Sequence, residues 1–182
     1  MTVAATRARL LELFAARAVA FGDFTLASGK KSSYYINSKK VLFHSEAAFL
    51  LGEAIWEATQ DLDIQAVGGL EVGAIPMAAV TVAAFHRHGR TLEGFFVRKK
   101  AKDHGSQAKI EGVLHAGDKV LILDDVLTTG GSALDAMNEV ERAGGTVARV
   151  VCIVDRLQGA REKLAGYDFR PLFTIRDLGI QP

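Results

Sequence analysis

Cysteine is almost absent from this sequence, and so are the marks of secreted and membrane proteins. The 182 residues include one cysteine, Cys152, so no internal disulfide can form. The first residues lack a basic start followed by an apolar run and a small-residue cleavage site, so no signal peptide is expected. The most apolar stretch, Ile75 to Phe85, is too short to cross a bilayer as a helix. We therefore expect a reducing, cytoplasmic setting, with Cys152 as a buried structural thiol.

The charge balance and the glycine patterns count against several further classes. A net charge of +1 provides no general attraction to nucleic acid or to an anionic membrane, so neither is an expected partner. The phosphate-loop pattern GxxxxGK[ST] is absent, and no GxGxxG opens a helix. The composition, 49% hydrophobic and 24% charged, is typical of a globular protein with one core.

Strand and helix patterns alternate along the larger part of the chain. Strands are predicted at 65–68, 92–97, 119–123, 146–154 and 171–175. Helices are predicted between them at 74–86, 132–143 and 160–164. Such alternation implies right-handed crossovers and an α/β fold, with a mainly parallel central sheet flanked by helices.

The first sixty residues do not follow this alternation. They predict helices at 6–19 and 45–59, and two short strands within 24–36 joined by a polar turn. We expect residues 1–60 to form an N-terminal helix and a small hood over an α/β core at 61–182. The whole chain, 1–182, is then a single domain.

One apolar strand leads into two acidic residues and a glycine-rich turn. The segment from Val120 to Ser132 reads VLILDDVLTTGGS. Asp124 and Asp125 are predicted to emerge at the carboxyl edge of the sheet, where ligands bind in open α/β folds. The turn from Thr128 to Ser132 precedes a helix, so its backbone N–H groups and the helix dipole form an anion site.

Two carboxylates beside an anion site must face something other than a bare phosphate, which they would repel. Sugar hydroxyls, which donate hydrogen bonds, and a magnesium ion both suit them. A phosphorylated ribose suits both the turn and the carboxylates. Its 5′-phosphate would lie in the turn, and its 2′- and 3′-hydroxyls would bind Asp124 and Asp125. Either piece alone is explained as a strand end or a helix cap, but their order on one buried strand favours a ligand site.

A basic segment without apolar periodicity follows the predicted strand at 92–97. RKKAKDHG, residues 98–105, places five basic or titratable side chains within seven positions: Arg98, Lys99, Lys100, Lys102 and His104. A solvated charged loop is one interpretation. The other is a lid that brings cations onto a diphosphate leaving group and excludes water from a cation-like sugar.

These segments resemble a known family. VLILDDVLTTGGS resembles the phosphoribosyl pyrophosphate motif of type I phosphoribosyltransferases, and RKKAKDHG resembles the catalytic loop of orotate phosphoribosyltransferases. FTLASGKKSSYYIN at 24–37, GGLEVGAIP at 68–76 and the Asp155-Arg156 pair extend the similarity over about residues 20–176. The resemblance implies a pentosyltransferase (EC 2.4.2.10) of pyrimidine synthesis. It would move ribose 5-phosphate from phosphoribosyl pyrophosphate to orotate, forming orotidine 5′-phosphate and pyrophosphate.

The resemblance also implies a role for each site residue. The residues that would bind phosphoribosyl pyrophosphate are Arg98, Lys99, Lys102, His104, Asp124, Asp125, Val126, Leu127, Thr128, Thr129, Gly130, Gly131 and Ser132. Those that would act in catalysis are Lys102, His104, Asp124 and Asp125. Thr128 and Arg156 would bind orotate, the arginine through the carboxylate of the base. Mg²⁺ would arrive with the substrate, and no direct protein ligand to it is assigned.

Two positions depart from members of the family, and two alternatives to it stay open. Ala27 stands where some members carry a lysine, so one diphosphate contact of those members is expected to be absent. Residues 68–76 resemble the loop that receives pyrophosphate in the family. The Glu71-Val72 pair stands there where some members carry a lysine, so only a backbone role, in a turn of unusual geometry, is carried over. In the family, the loop at 98–109 reaches the neighbouring subunit, which implies a homodimer. The alternatives are a phosphoribosyltransferase for a purine or another base, and a non-enzymatic regulator that senses nucleotides or binds RNA. Arg156 and the 102–104 segment count against the first, and the near-neutral charge against the second.

Overall fold

The computed structural model describes residues 2–25, 31–100 and 109–181. In chain order the elements are α1 (Val3–Ala18), β1 (Val19–Thr25), β2 (Lys31–Ile36), α2 (Lys39–Leu42), α3 (Ser45–Thr59), β3 (Ala66–Gly68), α4 (Ala74–Arg87), β4 (Glu93–Val97), β5 (Ile110–Gly112), β6 (Lys119–Leu127), α5 (Gly131–Arg142), β7 (Thr146–Asp155), α6 (Ala160–Lys163), β8 (Phe169–Thr174) and a 3-10 helix (Ile175–Leu178).

The central sheet has six strands in the order β5-β4-β3-β6-β7-β8. All neighbouring pairs are parallel except β4 and β5, which pair antiparallel at one edge. The predicted α/β class with a mainly parallel sheet is therefore confirmed. The edge strand β5 was not predicted, because its three residues are too few to show alternation.

Helices cover both faces of this sheet, which explains the continuous apolar run of β6. Leu121 and Leu123 point into the cluster formed with α1, α3 and α4. Val120 and Ile122 point into the cluster formed with α5 and α6. Successive side chains of a strand alternate between its faces, so a strand covered on both sides must be apolar at every position.

The bounds of α1 and β6 differ from prediction for identifiable reasons. The first helix begins at Val3 rather than Thr6, because the Thr2 side chain caps it by accepting a hydrogen bond from the backbone N–H of Ala5 at 3.4 Å. Strand β6 continues four residues further than predicted, to Leu127, because its parallel pairing with β7 continues that far. Asp124 and Asp125 therefore lie within the strand and not after it.

The hood consists of a β1–β2 hairpin and the short helix α2. The two strands pair antiparallel from Val19 opposite Ile36. Strand β1 starts at Val19, earlier than the predicted Phe24. The prediction missed this start because the strand is mostly exposed and shows no apolar alternation. The predicted polar turn, SGKKSS at 28–33, is wrong for residues 31–33, which belong to strand β2; its first three residues and Ala27 lie outside the described residues. None of the helices in the described part of the chain is long and apolar enough to cross a membrane.

Candidate active site

The carboxyl ends of β3, β6 and β7 meet at one edge of the sheet, and the predicted site lies there. Asp124 is buried, at 8% exposure, although it is a charged residue type. Its Oδ1 accepts a hydrogen bond from the backbone N–H of Asp125 at 2.8 Å, and its Oδ2 accepts one from the hydroxyl of Ser132. Burial, joined by the negative charge of Asp125, raises the pKa of Asp124 to about 7.

Asp125 has a different environment, although it is the next residue. The Ser38 hydroxyl donates a hydrogen bond to its Oδ2, and Nζ of Lys39 lies 3.2 Å from the same oxygen. Burial opposes the charged form, but the Ser38 hydrogen bond and the Lys39 charge together hold the pKa of Asp125 below its ordinary value. The site therefore contains one readily protonated carboxyl and one stable carboxylate.

The turn after the acidic pair has the geometry of an anion site. Gly130 adopts a left-handed conformation, with φ of 79°, and directly precedes α5. The helix starts at Gly131, one residue before the predicted Ser132, and has no acidic residue in its first turn. The N-terminal backbone N–H groups of α5 are thus available to a phosphate, and Ser132 connects this turn to Asp124.

Leu127 and Val126 were predicted to bind substrate, and the structure limits how they can do so. The side chain of Leu127 is fully buried in the core between the sheet and α5. Val126 packs against the core on the other face of the sheet. The Leu127 backbone carbonyl accepts a hydrogen bond from the N–H of Arg156 at 2.9 Å. Any contact of Leu127 with a ligand must therefore involve its backbone.

The turn from Gly69 to Gly73 packs directly against the acidic pair. A Cβ added at Gly73 would lie 2.5 Å from Cγ of Asp125, so only glycine leaves room for the carboxylate. The peptide bond between Glu71 and Val72 is cis. The unusual backbone geometry expected for this turn is confirmed.

The two ends of the loop 98–109, which contains the basic segment, meet beside this turn. The N–H of Arg98 donates to the carbonyl of Lys109 at 2.8 Å, which brings the two ends together. The N–H of Lys99 donates to Oε1 of Glu71, also at 2.8 Å. Lys102 and His104, the two predicted catalytic residues of the segment, lie outside the described residues.

Arg156 lies at the end of β7 and contacts the hood. Its Nε and one terminal nitrogen lie 3.1 Å and 2.7 Å from the hydroxyl of Tyr34, whose side chain is buried. The N–H of Arg156 also bonds the carbonyl of Leu127, the residue before Thr128. This bond places Arg156, which contacts Tyr34, beside the residue that precedes Thr128, so the two predicted orotate-binding residues start from neighbouring strand ends.

Sequence reasoning missed Ser38 and Lys39, and it assigned no contact to Glu71. Ser38 and Lys39 follow the hood strand in a short polar stretch with no periodicity, and their partner Asp125 is 87 and 86 residues away. No local signal marks them. Glu71 was noted only as a departure, yet its side chain holds the start of the basic segment.

The described residues contain no group of three or more histidine, cysteine, aspartate or glutamate side chains placed to hold a metal ion. Two neighbouring carboxylates, an anion-binding helix start and a tight glycine turn instead form one polar site at the sheet edge. This arrangement can bind a ligand with hydroxyls in its middle and phosphates at two positions.

Comparisons with known proteins agree with this geometry. Residues 38–174 match the phosphoribosyl transferase domain family. An orotate phosphoribosyltransferase of a Bradyrhizobium species is 42% identical over 97% of this chain and 99% of its own length. A solved structure of the Mycobacterium tuberculosis orotate phosphoribosyltransferase is 40% identical and superimposes with a TM-score of 0.86, covering 96% of this chain and 99% of that one.

A second structure of the Mycobacterium tuberculosis enzyme was determined in complex with 5-phospho-alpha-D-ribosyl 1-diphosphate. It is 36% identical, with a TM-score of 0.82, and covers 96% of this chain and 99% of that one. These three chains are matched over nearly their full length. The chain belongs to the phosphoribosyl transferase domain family and, within it, to the orotate phosphoribosyltransferases.

Proposed function

We propose that this protein transfers ribose 5-phosphate from phosphoribosyl pyrophosphate to orotate, forming orotidine 5′-phosphate and pyrophosphate in pyrimidine biosynthesis (EC 2.4.2.10). The observation that carries the proposal is the position of Asp124 and Asp125. The first bonds Ser132 at the phosphate turn, and the second packs against Gly73 in the turn expected to receive pyrophosphate. A ribose seated on the two carboxylates would have an anion site on each side.

The sugar and its 5′-phosphate occupy the acidic pair and the turn that follows. Asp124 and Asp125 accept hydrogen bonds from the ribose hydroxyls. The backbone of Val126 and Leu127 and the residues Thr128 to Ser132 surround the 5′-phosphate, which the start of α5 stabilises. The stable negative charge of Asp125 supports this role, because an ionised carboxylate is the better hydrogen-bond acceptor.

The diphosphate leaves as the new bond forms. A ring nitrogen of orotate attacks C1 of the ribose, the C1–O bond breaks, and its electron pair departs with pyrophosphate. Arg98, Lys99, Lys102 and His104 neutralise the growing negative charge on the leaving oxygens. Orotate reacts as the anion at the attacking nitrogen, whose proton has already passed to solvent, so no strong general base is required in the site. The Lys99–Glu71 contact supports this scheme, since it places the start of the basic segment at the turn beside Asp125.

Arg156 and Thr128 hold the base. The planar guanidinium of Arg156 can bind the orotate carboxylate through two parallel hydrogen bonds. Its present partner is the neutral hydroxyl of Tyr34, which leaves the positive charge of the arginine uncompensated by that contact. An anionic base that entered beneath the hood would supply the missing charge.

Magnesium fits this site as an ion carried by the substrate. Mg²⁺ keeps several waters and commonly binds through one or two carboxylates together with substrate phosphates. When bound, the ion would neutralise the leaving pyrophosphate.

Assembly, location and domain organisation complete the proposal. A homodimer in which the loop 98–109 reaches the neighbouring site is supported by an apolar face beside the ends of that loop, which includes Ile75, Val82 and Phe96. A cytoplasmic location is supported by the single buried cysteine, Cys152. The chain forms one domain over 1–182 in this proposal, with the N-terminal helix and hood within 1–60 and the α/β core at 61–182.

The first test follows the ultraviolet absorbance of orotate after phosphoribosyl pyrophosphate and magnesium are added, with Lys102→Ala measured in parallel. Loss of the orotate signal in the wild type, much slower in the variant, is the expected result. Turnover of a purine base instead of orotate would retain the sugar site and overturn the role of Arg156. Silence with every base, together with salt-dependent RNA binding, would favour a regulator.

A further inference from the structure

The hood contributes two side chains to the acidic pair. Ser38, directly before α2, is 2% exposed and donates a hydrogen bond to Oδ2 of Asp125. Lys39, the first residue of α2, places its Nζ 3.2 Å from the same oxygen. A hydroxyl and an ammonium group from one helix start therefore converge on one carboxylate oxygen of the sugar site.

A different part of the chain packs against the same carboxylate group. A Cβ built at Gly73 would lie 2.6 Å from Oδ1 and 2.8 Å from Oδ2 of Asp125, so the turn at 69–73 lies against both oxygens. Asp124 has none of these contacts and instead bonds Ser132 at the start of α5. The hood therefore acts on one member of the pair and leaves the other to the phosphate turn.

We propose that Ser38 and Lys39 are positioning residues, which hold the Asp125 carboxylate in the orientation that receives a ribose hydroxyl and thereby set the affinity for phosphoribosyl pyrophosphate. The inference rests on the proposed function, because it assumes that Asp125 binds the sugar. A carboxylate held in advance by two donors loses little rotational freedom when the substrate binds. Removing either donor should weaken sugar binding without altering the chemistry of the leaving group.

A purely structural role for the same contacts would have a different signature. Ser38 and Lys39 also fasten the hood, and the hood carries Tyr34, which bonds Arg156 in the proposed base site. If the two residues only kept the hood in place, their loss would disturb Arg156 and weaken orotate binding as much as sugar binding. If they position Asp125, the effect falls on the sugar substrate alone.

The experiment compares Ser38→Ala and Lys39→Gln with the conservative variants Ser38→Thr and Lys39→Arg. Lys40→Gln is the matched control, because Lys40 is an exposed lysine on the same short helix. The measurements are kcat, the KM for each substrate, and the calorimetric affinity for ribose 5-phosphate in the absence of orotate. Lys39→Gln tests the same carboxylate as Ser38→Ala without creating a buried gap, so the test stands even if Ser38→Ala fails to fold.

We expect Ser38→Ala and Lys39→Gln each to raise the KM for phosphoribosyl pyrophosphate by about tenfold, the effect of losing one hydrogen bond to a charged group. The affinity for ribose 5-phosphate should fall by a similar factor, and the KM for orotate should stay within about twofold of wild type. Ser38→Thr and Lys39→Arg should restore the wild-type KM for phosphoribosyl pyrophosphate. An equal rise in both KM values, or an unchanged affinity for the sugar, would overturn the inference. If wild type failed to convert orotate, the proposed function would fall, while ribose 5-phosphate calorimetry would still test Ser38 and Lys39.

Discussion

Asp124 should reduce the stability of the free protein at neutral and alkaline pH, even though it is proposed to bind substrate. The side chain is 8% exposed, and burial together with the charge of Asp125 raises its pKa from 3.8 to about 7. Asparagine has nearly the same shape and no charge. Its carbonyl can still accept from the N–H of Asp125, and its amide can donate to the hydroxyl of Ser132. We therefore expect Asp124→Asn to be more stable than wild type at pH 8.

The size of this effect follows from the difference in proton affinity between the folded and unfolded states. The unfolded chain releases the Asp124 proton near 3.8, whereas the folded protein retains it to about pH 7. The stabilising contribution of protonated Asp124 is therefore fully present below pH 3.8, and it is lost progressively as the pH rises toward 7. A pKa raised from 3.8 to about 7 corresponds to roughly 4 kcal/mol in the free energy of unfolding. The buried amide of asparagine offsets part of this, so we expect a gain of about 2 kcal/mol, or roughly 4–8 °C in Tm.

Thermal unfolding followed by circular dichroism, without substrate or magnesium, measures the effect. At pH 5 Asp124 is protonated in the folded wild type, so the Tm difference between the two proteins should be much smaller than at pH 8. Asp23→Asn, on the exposed strand β1, removes the same charge and should show no such pH dependence. A Tm difference that is equal at both pH values, or a variant less stable at pH 8, would refute the reasoning. Turnover should fall in Asp124→Asn, because an amide accepts hydrogen bonds from sugar hydroxyls less strongly than a carboxylate.

Two further predictions concern the turn and the base site. Gly73→Ala places a Cβ 2.5 Å from Cγ of Asp125 and should raise the KM for phosphoribosyl pyrophosphate about tenfold in steady-state kinetics. Gly166→Ala is the control, because a Cβ at Gly166 would have no atom within 4 Å. Equal KM values in the two variants would argue against a role of the Gly73 packing in substrate binding. Arg156→Lys keeps the charge but loses the planar fork, so the KM for orotate should rise about tenfold with little change for the sugar substrate; an unchanged orotate KM would mean that Arg156 does not bind the base.

Local pattern accounts for most of the fold. The apolar strands, the glycine turns and the amphipathic helices are each encoded within one short segment, where helices show a period of about 3.6 residues and strands one of about 2.0. The order of an apolar strand, Asp124-Asp125 and a glycine turn also placed these residues at the carboxyl edge of the sheet, where the structure has them, because parallel strands end at the same edge. The elements that escaped prediction are α2, β5 and the 3-10 helix, of four, three and four residues, and their sequences show no period.

The sequence alone therefore determined the fold class, the position of the phosphate turn and the identity of the acidic pair. Only the tertiary structure decided how the two aspartates differ. Ser38 and Lys39 reach Asp125 across 87 and 86 residues, while Ser132, eight residues away, binds Asp124. The proton affinity of a buried carboxyl depends on the solvent it loses and on the donors that surround it. Those donors come together only when the hood folds over the sheet edge, and no local pattern records that contact.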